Sequence, residues 1–398
     1  MQIADRLVPL QKNVFADMDR AKAKAIANGR QLIDLSLGSS DLPTPPHILE
    51  AISKALQDPE THGYALFNST KDFRVAAAEW YERKFGIKVN PETEVMPLIG
   101  SQEGTAHLPL AVMNPGDVAL LQDPGYPSHA GGAYLAGGEI YPMPLLAENN
   151  FLPVLGDIPA EVAQKATMMV LSYPHNPTTA VAPLSFFQEA VAFCQQHDIA
   201  LVHDFPYTDL YFEAEPMPSV LQADPNKSVS IEFFSLSKSY NMGGFRVAYA
   251  IGNAALIQGL RQVKATVDFN QYRGILRGAI AALGGPQDCV ADMVSTFASR
   301  RDTAISALRS IGWSVSEPPA TMYIWAKLPE NLPNGWAEDS IAFCSELVAA
   351  TGVALSPGRG FGPSGEGYVR FALVHPPEIV EAAIHKVGDF STKRIRNE

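Results

Sequence analysis

The chain predicts an α/β protein of two domains: a mostly parallel sheet covered by helices on both faces, followed by a smaller α+β unit. Three observations carry this expectation. The chain has 398 residues, and single hydrophobic cores stop growing at roughly 250 to 300. Apolar strand-like runs alternate with helical ones through the middle of the sequence, the signature of a parallel sheet with crossover helices. After Gly284-Gly285-Pro286 the texture changes to one long helix followed by strands and helices in mixed order.

Taken in order, VFADMDRAKAKAIANG has helical spacing and stops at Gly29, and QLIDLSLGSSDLPTPP reads as a short strand running into a proline-rich loop. HILEAISKAL and FRVAAAEWYERKFG are helical, with the loop HGYALFNST between them. The alternation follows as VMPLIGS, EGTAHLPLAVMN, DVALLQD, EIYPMPL, TMMVLSYP, PLSFFQEAVAFCQQH and IALVHD, and VSIEFFSLS and RVAYAIGN extend the sheet. Beyond the glycine pair come the helix VADMVSTFASRRDTAISALRS, the strands WSVSEP and TMYIWAKL, the helix DSIAFCSELVAATG and the strand GYVRFALV. The expected division is an N-terminal arm with part of the small domain over 1–46, a large domain over 47–285 and a small C-terminal domain over 286–398. Ligands in such sheets gather beyond the carboxyl ends of the strands, so the loops that follow strands should carry the chemistry.

Composition narrows the function. A formal charge of −12, with basic residues clustered only at Lys393, Arg394 and Arg396, disfavours nucleic acid and anionic membranes as partners. No stretch of 18 apolar residues occurs and MQIADRLVPL is no signal peptide, so a cytoplasmic protein is expected. Cys194, Cys289 and Cys344 are odd in number and far apart, which suits a reducing compartment, and Cys194 and Cys344 sit in apolar helices as core thiols.

Lys238 lies just past an apolar strand in SLSKSYNMGGFR, eight residues before Arg246. A lysine enclosed there loses its proton more readily and can attack an aldehyde cofactor. Asp204 ends the buried strand IALVHD, where a lone carboxylate needs a cationic partner, and a pyridinium nitrogen is one. Tyr207, three residues on, can reach a ring hydroxyl, and Asn176 in LSYPHNPTTA can donate to a ring oxygen. In IGSQEGTAH, Ser101, Gln102 and Glu103 open a helix whose free N–H groups suit a phosphate, Glu103 through its backbone alone. Ser235 and Arg246 complete that cup, and Tyr126 in DPGYP can stack on a ring.

SLSK with Arg246, HDFPY, YPHNPT, GSQEG and YVRFALV stand in one order along nearly the whole chain, and together they resemble the class I and II aminotransferases. The resemblance implies pyridoxal-phosphate (PLP) fold type I: a large domain with a mostly parallel seven-stranded sheet between helices, and a smaller α+β domain. It implies that Lys238 is the covalent attachment point of pyridoxal 5'-phosphate and the carrier of the Cα proton. Asp204 then pairs with the pyridine nitrogen, Tyr207 and Asn176 contact the ring hydroxyl, and Ser101, Gln102, Ser235 and Arg246 hold the phosphate. Arg370 in YVRFALV grips the substrate α-carboxylate, with Gly38 beside it. Such a grip sets the Cα–H bond perpendicular to the ring, the orientation in which it breaks most easily. Tyr64 in HGYALFNST matches a tyrosine lent to the neighbouring subunit's phosphate, implying a homodimer. Asn68-Ser69 depart from the glycine-containing stretch many relatives have there.

Within the family, the helix VFADMDRAKAKAIANGR and LIGSQEGTAHLPLAVMNPGD look most like the aspartate and LL-diaminopimelate aminotransferase branch. The expected activity is transfer of an amino group from an L-amino acid to a 2-oxo acid. A carbon–sulfur β-lyase shares the motifs and stays open, as does a PLP-binding regulator, although no basic N-terminal DNA-binding extension is present. Arg273, Lys71 and Arg359 are candidates for the distal end of a dicarboxylic substrate. GFGPSG satisfies G-x-G-x-x-G but runs into a strand, not a helix, so no dinucleotide site is expected, and the histidines have no metal-ligand spacing.

Overall fold

The computed structural model describes residues 3–10, 14–212 and 216–392, so the basic cluster at 393–396 lies outside the described residues. Among the described residues twelve strands form three sheets: β1 (Ile33–Asp34), β2 (Val95–Leu98), β3 (Val118–Asp123), β4 (Glu139–Pro144), β5 (Ala166–Leu171), β6 (Ala200–Asp204), β7 (Ser230–Ser235), β8 (Ala248–Gly252), β9 (Tyr323–Lys327), β10 (Val353–Ala354), β11 (Ser356–Pro357) and β12 (Tyr368–Ala372). The largest is seven-stranded in the order β2-β8-β7-β6-β5-β3-β4. Within it β8 runs against its neighbours, β2 and β7. The other pairs are parallel.

The central strands read as unbroken apolar runs because both faces are covered. Met169 and Leu171 of β5 enter one core with Val118 and Leu120 of β3 and Leu201 of β6. Met168 and Val170 enter the opposite core with Ala119, Leu121, Val202 and Phe233. This two-residue alternation decides which face each strand-end residue serves. Asp204 falls on the side of Val202, whereas His203 falls on the side of Leu201. There His203 is buried, its Nδ1 2.7 Å from Glu232 Oε1 and its Nε2 2.9 Å from Tyr173 O.

From β3 the chain moves outward to β4, and from β5 onward it moves the other way. The carboxyl ends of β3 and β5 therefore flank a crevice at the switch point.

A third core joins the helix Asp288–Ser310, β9, the helix Ser340–Thr351, β12 and the helix Pro377–Ser391 with Met18, Ala25 and Leu35 from the N-terminal segment. β9, β11 and β12 make an antiparallel sheet, and β1 pairs in parallel with β10. The segment WSVSEP is not a strand. Its alternation is genuine, with Trp313 and Val315 inward and Ser314 and Ser316 outward, but no neighbouring segment among the described residues offers it a ladder. The N-terminal helix spans Val14–Ala27, and Gly29 follows with φ 81°. Among the described residues no helix is long and apolar enough to cross a membrane.

Candidate active site

A cleft of about 1120 Å³ opens at the carboxyl ends of the large sheet, closed on one side by the N-terminal segment and β12. Lys238, Asp204, Tyr207, Asn176, Ser101, Gln102, Tyr126, Ser235, Arg246, Gly38 and Arg370 all line it. They come from turns after β1, β2, β3, β5, β6 and β7 and from β12, so the loop rule brings together residues more than three hundred positions apart.

Lys238 lies in the single helical turn Leu236–Ser239, launched from β7 with Ser235 Oγ accepting from Ser237 N. Its ammonium donates to Gly38 O and lies 5.8 Å from the Tyr207 ring centroid. Burial pushes its pKa below the ordinary lysine range, and the Arg370 and Arg246 guanidinia add to that while Tyr323 opposes it. The other cleft lysine, Lys22, behaves oppositely. Burial alone would lower it, but Asp19 at 2.7 Å and Asp34 at 3.1 Å raise it above the usual range.

Asp204 is 5% exposed. Its Oδ2 meets His129 Nε2 at 3.0 Å, and its Oδ1 is buried with no hydrogen-bond partner among the described residues. A buried carboxylate oxygen left that way is costly unless something cationic faces it.

On the opposite wall, Arg370 Nη1 donates to Asn176 Oδ1 at 2.7 Å, and Nη2 donates to Ser36 O at 2.7 Å and Ser356 Oγ at 3.2 Å. Its guanidinium sits 4.2 Å from the Tyr323 ring centroid and 4.7 Å from that of Phe361. Its Nε is buried without a partner among the described residues. The Asn176 carbonyl being engaged, its NH₂ group remains to donate elsewhere.

Tyr207 and Tyr323 share a 2.8 Å hydroxyl contact. Burial would raise Tyr323, yet the charges of Lys238 and Arg370 bring it below the usual phenol range, whereas burial and Tyr323 itself push Tyr207 up.

At the other end of the cleft, Gly100 has φ 77° and Ser101 opens the helix Ser101–Val112. A Cβ on Gly100 would overlap the Arg246 guanidinium, so the glycine is what lets that arginine close over the turn. Free N–H groups at a helix start, two serines and an arginine form an anion cradle. With the unpartnered Asp204 oxygen and the amine of Lys238, this donor set fits pyridoxal phosphate: a phosphate at one end, a basic ring nitrogen at the other, an aldehyde between.

Two sequence expectations change. Glu103 leaves the cofactor set, because its N–H donates to Gly100 O at 3.1 Å and its buried carboxylate faces Lys264. Arg273 and Lys71 do not line the cleft, whereas Arg359 does, and its guanidinium makes no hydrogen bond among the described residues. Tyr64 lines nothing here and is 89% exposed. GFGPSG forms two short 3₁₀ turns at the cleft rim, with Ser364 Oγ donating to Asp123 Oδ2 at 2.8 Å.

His129 and Tyr323 went unnoticed in the sequence. His129 carried one faint signal, a histidine shortly after DPGYP in the first turn of a helix, and Tyr323 carried none.

The close approach at Gly38 yields a prediction. A Cβ there would overlap the Tyr323 hydroxyl. Gly38→Ala is expected to displace the tyrosine pair and Lys238 together, lowering kcat/KM by roughly 10- to 100-fold for about 1–3 kcal/mol of overpacking strain. Steady-state kinetics beside a melting curve check it.

Residues 30–387 match the model of the family described as aminotransferase class I and II. The chain is 44% identical over 393 residues to an LL-diaminopimelate aminotransferase of Dehalococcoides mccartyi, covering 99% of this chain and 100% of that one. A solved structure described as a probable N-succinyldiaminopimelate aminotransferase from Thermus thermophilus superposes with a TM-score of 0.89 at 42% identity, over 94% of this chain and 99% of that one. Substrate-bound BacF from Bacillus subtilis superposes with a TM-score of 0.93 at 34% identity, over 100% of both chains.

Proposed function

Because the chain belongs to the aminotransferase class I and II family, we infer that it moves the amino group of an extended dicarboxylic L-amino acid, of the LL-diaminopimelate kind, to a 2-oxo acid with pyridoxal 5'-phosphate as cofactor. The observation that carries the chemistry is the contrast between the two cleft lysines. Lys22 is held charged by two carboxylates, whereas Lys238 has none and is depressed. A proton carrier must be able to lose its proton near neutral pH.

When bound, pyridoxal phosphate supplies an aldehyde for attachment of an amine and an electron-poor ring that accepts the electron pair of a breaking Cα–H bond. The residues do the rest. Lys238 Nζ would be the attachment point and, with its amine free, would carry the proton between Cα and the cofactor. Asp204 Oδ1 holds a protonated ring nitrogen, with His129 fixing the carboxylate from behind. Asn176 Nδ2 and the Tyr207 hydroxyl donate to the ring oxygen. Ser101, Gln102, Ser235 and Arg246 hold the phosphate, and Tyr126 lies against the ring. Arg370 holds the α-carboxylate through its unpartnered Nε, with Gly38 leaving room.

Tyr64 belongs to the reading as a residue lent to a second copy. Its support is an exposed apolar patch of Tyr64, Leu66, Val267 and Phe269, brought together where Asn270 Nδ2 donates to Ala65 O at 2.8 Å. A cytoplasmic location is likewise part of the reading, supported by three free thiols, two of them buried.

The donor is supported by the names of full-length relatives and by Arg359, a cleft cation whose guanidinium makes no hydrogen bond among the described residues and whose charge is felt by Asp123 beside it. The test is a donor panel. Cofactor-loaded enzyme mixed with LL-diaminopimelate, aspartate, glutamate or methionine should yield one equivalent of 2-oxo acid without an acceptor, and many with one. Ammonia and 2-oxo acid released catalytically, without acceptor, from a substrate with a Cβ–S bond such as L-cystathionine would instead establish the carbon–sulfur β-lyase. Arg359→Ala is expected to cut kcat/KM about tenfold for dicarboxylic donors, the worth of one charged hydrogen bond near the surface, and to leave methionine unchanged. Equal losses on both would remove Arg359 from the distal contact.

A further inference from the structure

The first turn of the helix Ser101–Val112 contains a carboxylate, and a carboxylate there competes with any phosphate for the same N–H groups and positive field. Glu103 is 7% exposed and Lys264, from the neighbouring helix Ala254–Val267, is 3% exposed. Lys264 Nζ donates to both Glu103 oxygens, at 2.7 and 2.9 Å, and to Asp268 Oδ1 at 3.3 Å, occupying all three of its protons. Glu103 Oε2 also accepts the N–H of Ile99, which fixes the residue before the left-handed Gly100. His107 Nδ1 stands 3.7 Å from Glu103 Oε1. Glu103, His107 and Asp268 have the spacing of a cation site, but an ammonium already sits among them. Neither Glu103 nor Lys264 lines the cleft.

We propose that Lys264 is a positioning residue for the phosphate of the cofactor: it neutralises Glu103 and draws its carboxylate away from the cradle. The turn over 99–102 then keeps the shape and the positive potential that bind a dianion, though Lys264 touches no phosphate itself. The pair works as a unit. Glu103 anchors the turn through Ile99, and Lys264 removes the electrostatic penalty of having it there. Without the ammonium, the carboxylate keeps the Ile99 N–H and the neighbouring His107 but loses the buried positive charge that balances it, and turning toward the helix N-terminus relieves that loss at the expense of the site. The inference rests on the cofactor reading above.

It is tested on the apoenzyme by equilibrium dialysis with two probes, pyridoxal phosphate and unphosphorylated pyridoxal, which differ only at the group concerned. Lys264→Met is expected to raise Kd for pyridoxal phosphate about 10- to 100-fold and to leave that of pyridoxal within about twofold. The double variant with Glu103→Gln, whose amide oxygen still accepts from Ile99, is expected to recover most of the loss. Glu103→Gln alone keeps or tightens phosphate binding, and it serves if Lys264→Met fails to fold. Equal weakening of both probes, no recovery in the double variant, or a tenfold loss from Glu103→Gln alone would each overturn the proposal. Should the unaltered protein bind both probes equally, the phosphate cradle itself is wrong and the cofactor reading falls. Should it prefer the phosphorylated probe with a ratio indifferent to Lys264, only this inference falls.

Discussion

Lys238→Ala is expected to abolish turnover, lowering the rate of 2-oxo acid formation by about 10⁴-fold or more, the upper end of what a positioned proton carrier contributes. Lys22 cannot substitute. It also lines the cleft, but it is tied to Asp19 and Asp34 and held charged. The variant should fold normally, since Lys238 makes one hydrogen bond, to Gly38 O, and no ion pair among the described residues. The measurement is single-turnover conversion of the donor followed by absorbance of the cofactor and by product analysis. Residual activity above about one per cent would mean that another group carries the Cα proton.

Asp204→Asn should be nearly as damaging for a different reason. The amide keeps the volume and a contact with His129 but loses the charge, so under the proposed function nothing would hold a proton on the cofactor's ring nitrogen. Removing one partner of a buried charge pair costs about 3–5 kcal/mol, or roughly 150- to 4,000-fold in kcat/KM. The loss should fall on Cα–H cleavage, so a deuterium at Cα should give a larger isotope effect than in the unaltered enzyme. If Asp204 served only to hold His129, the amide would cost less than about threefold and leave the isotope effect unchanged.

The large sheet was readable in the chain because burial on both faces leaves an unbroken apolar run, and such runs alternate here with helices of ordinary length. The site residues at its strand ends were readable for a related reason: a lysine or carboxylate closing an apolar strand contradicts its surroundings, as Lys238 and Asp204 do. WSVSEP misled because inward–outward alternation reports burial and not a hydrogen-bonded neighbour. Glu103 misled because its backbone N–H, expected to be free for a phosphate, is taken by Gly100 O, and the partner of its side chain, Lys264, is 161 residues away. Tyr323 was invisible for the same reason, meeting Tyr207 across 116 residues from a strand whose own pattern calls only for burial.

The seam around Arg370 has a temporal consequence. Ser36 and Leu35 are joined to Ser356 and Ala372, with 320 residues between the serines. At roughly 5–20 residues per second on a ribosome, about 16 to 64 s separate the emergence of these two edges. The last strand of the large sheet ends at Gly252, so only the final 104 residues of that stretch, roughly 5 to 20 s of synthesis, follow the sheet that carries Asp204, Lys238 and the candidate phosphate cradle. The wall of the cleft that carries Arg370 is therefore the last to be made, and it closes on strand ends laid down before it.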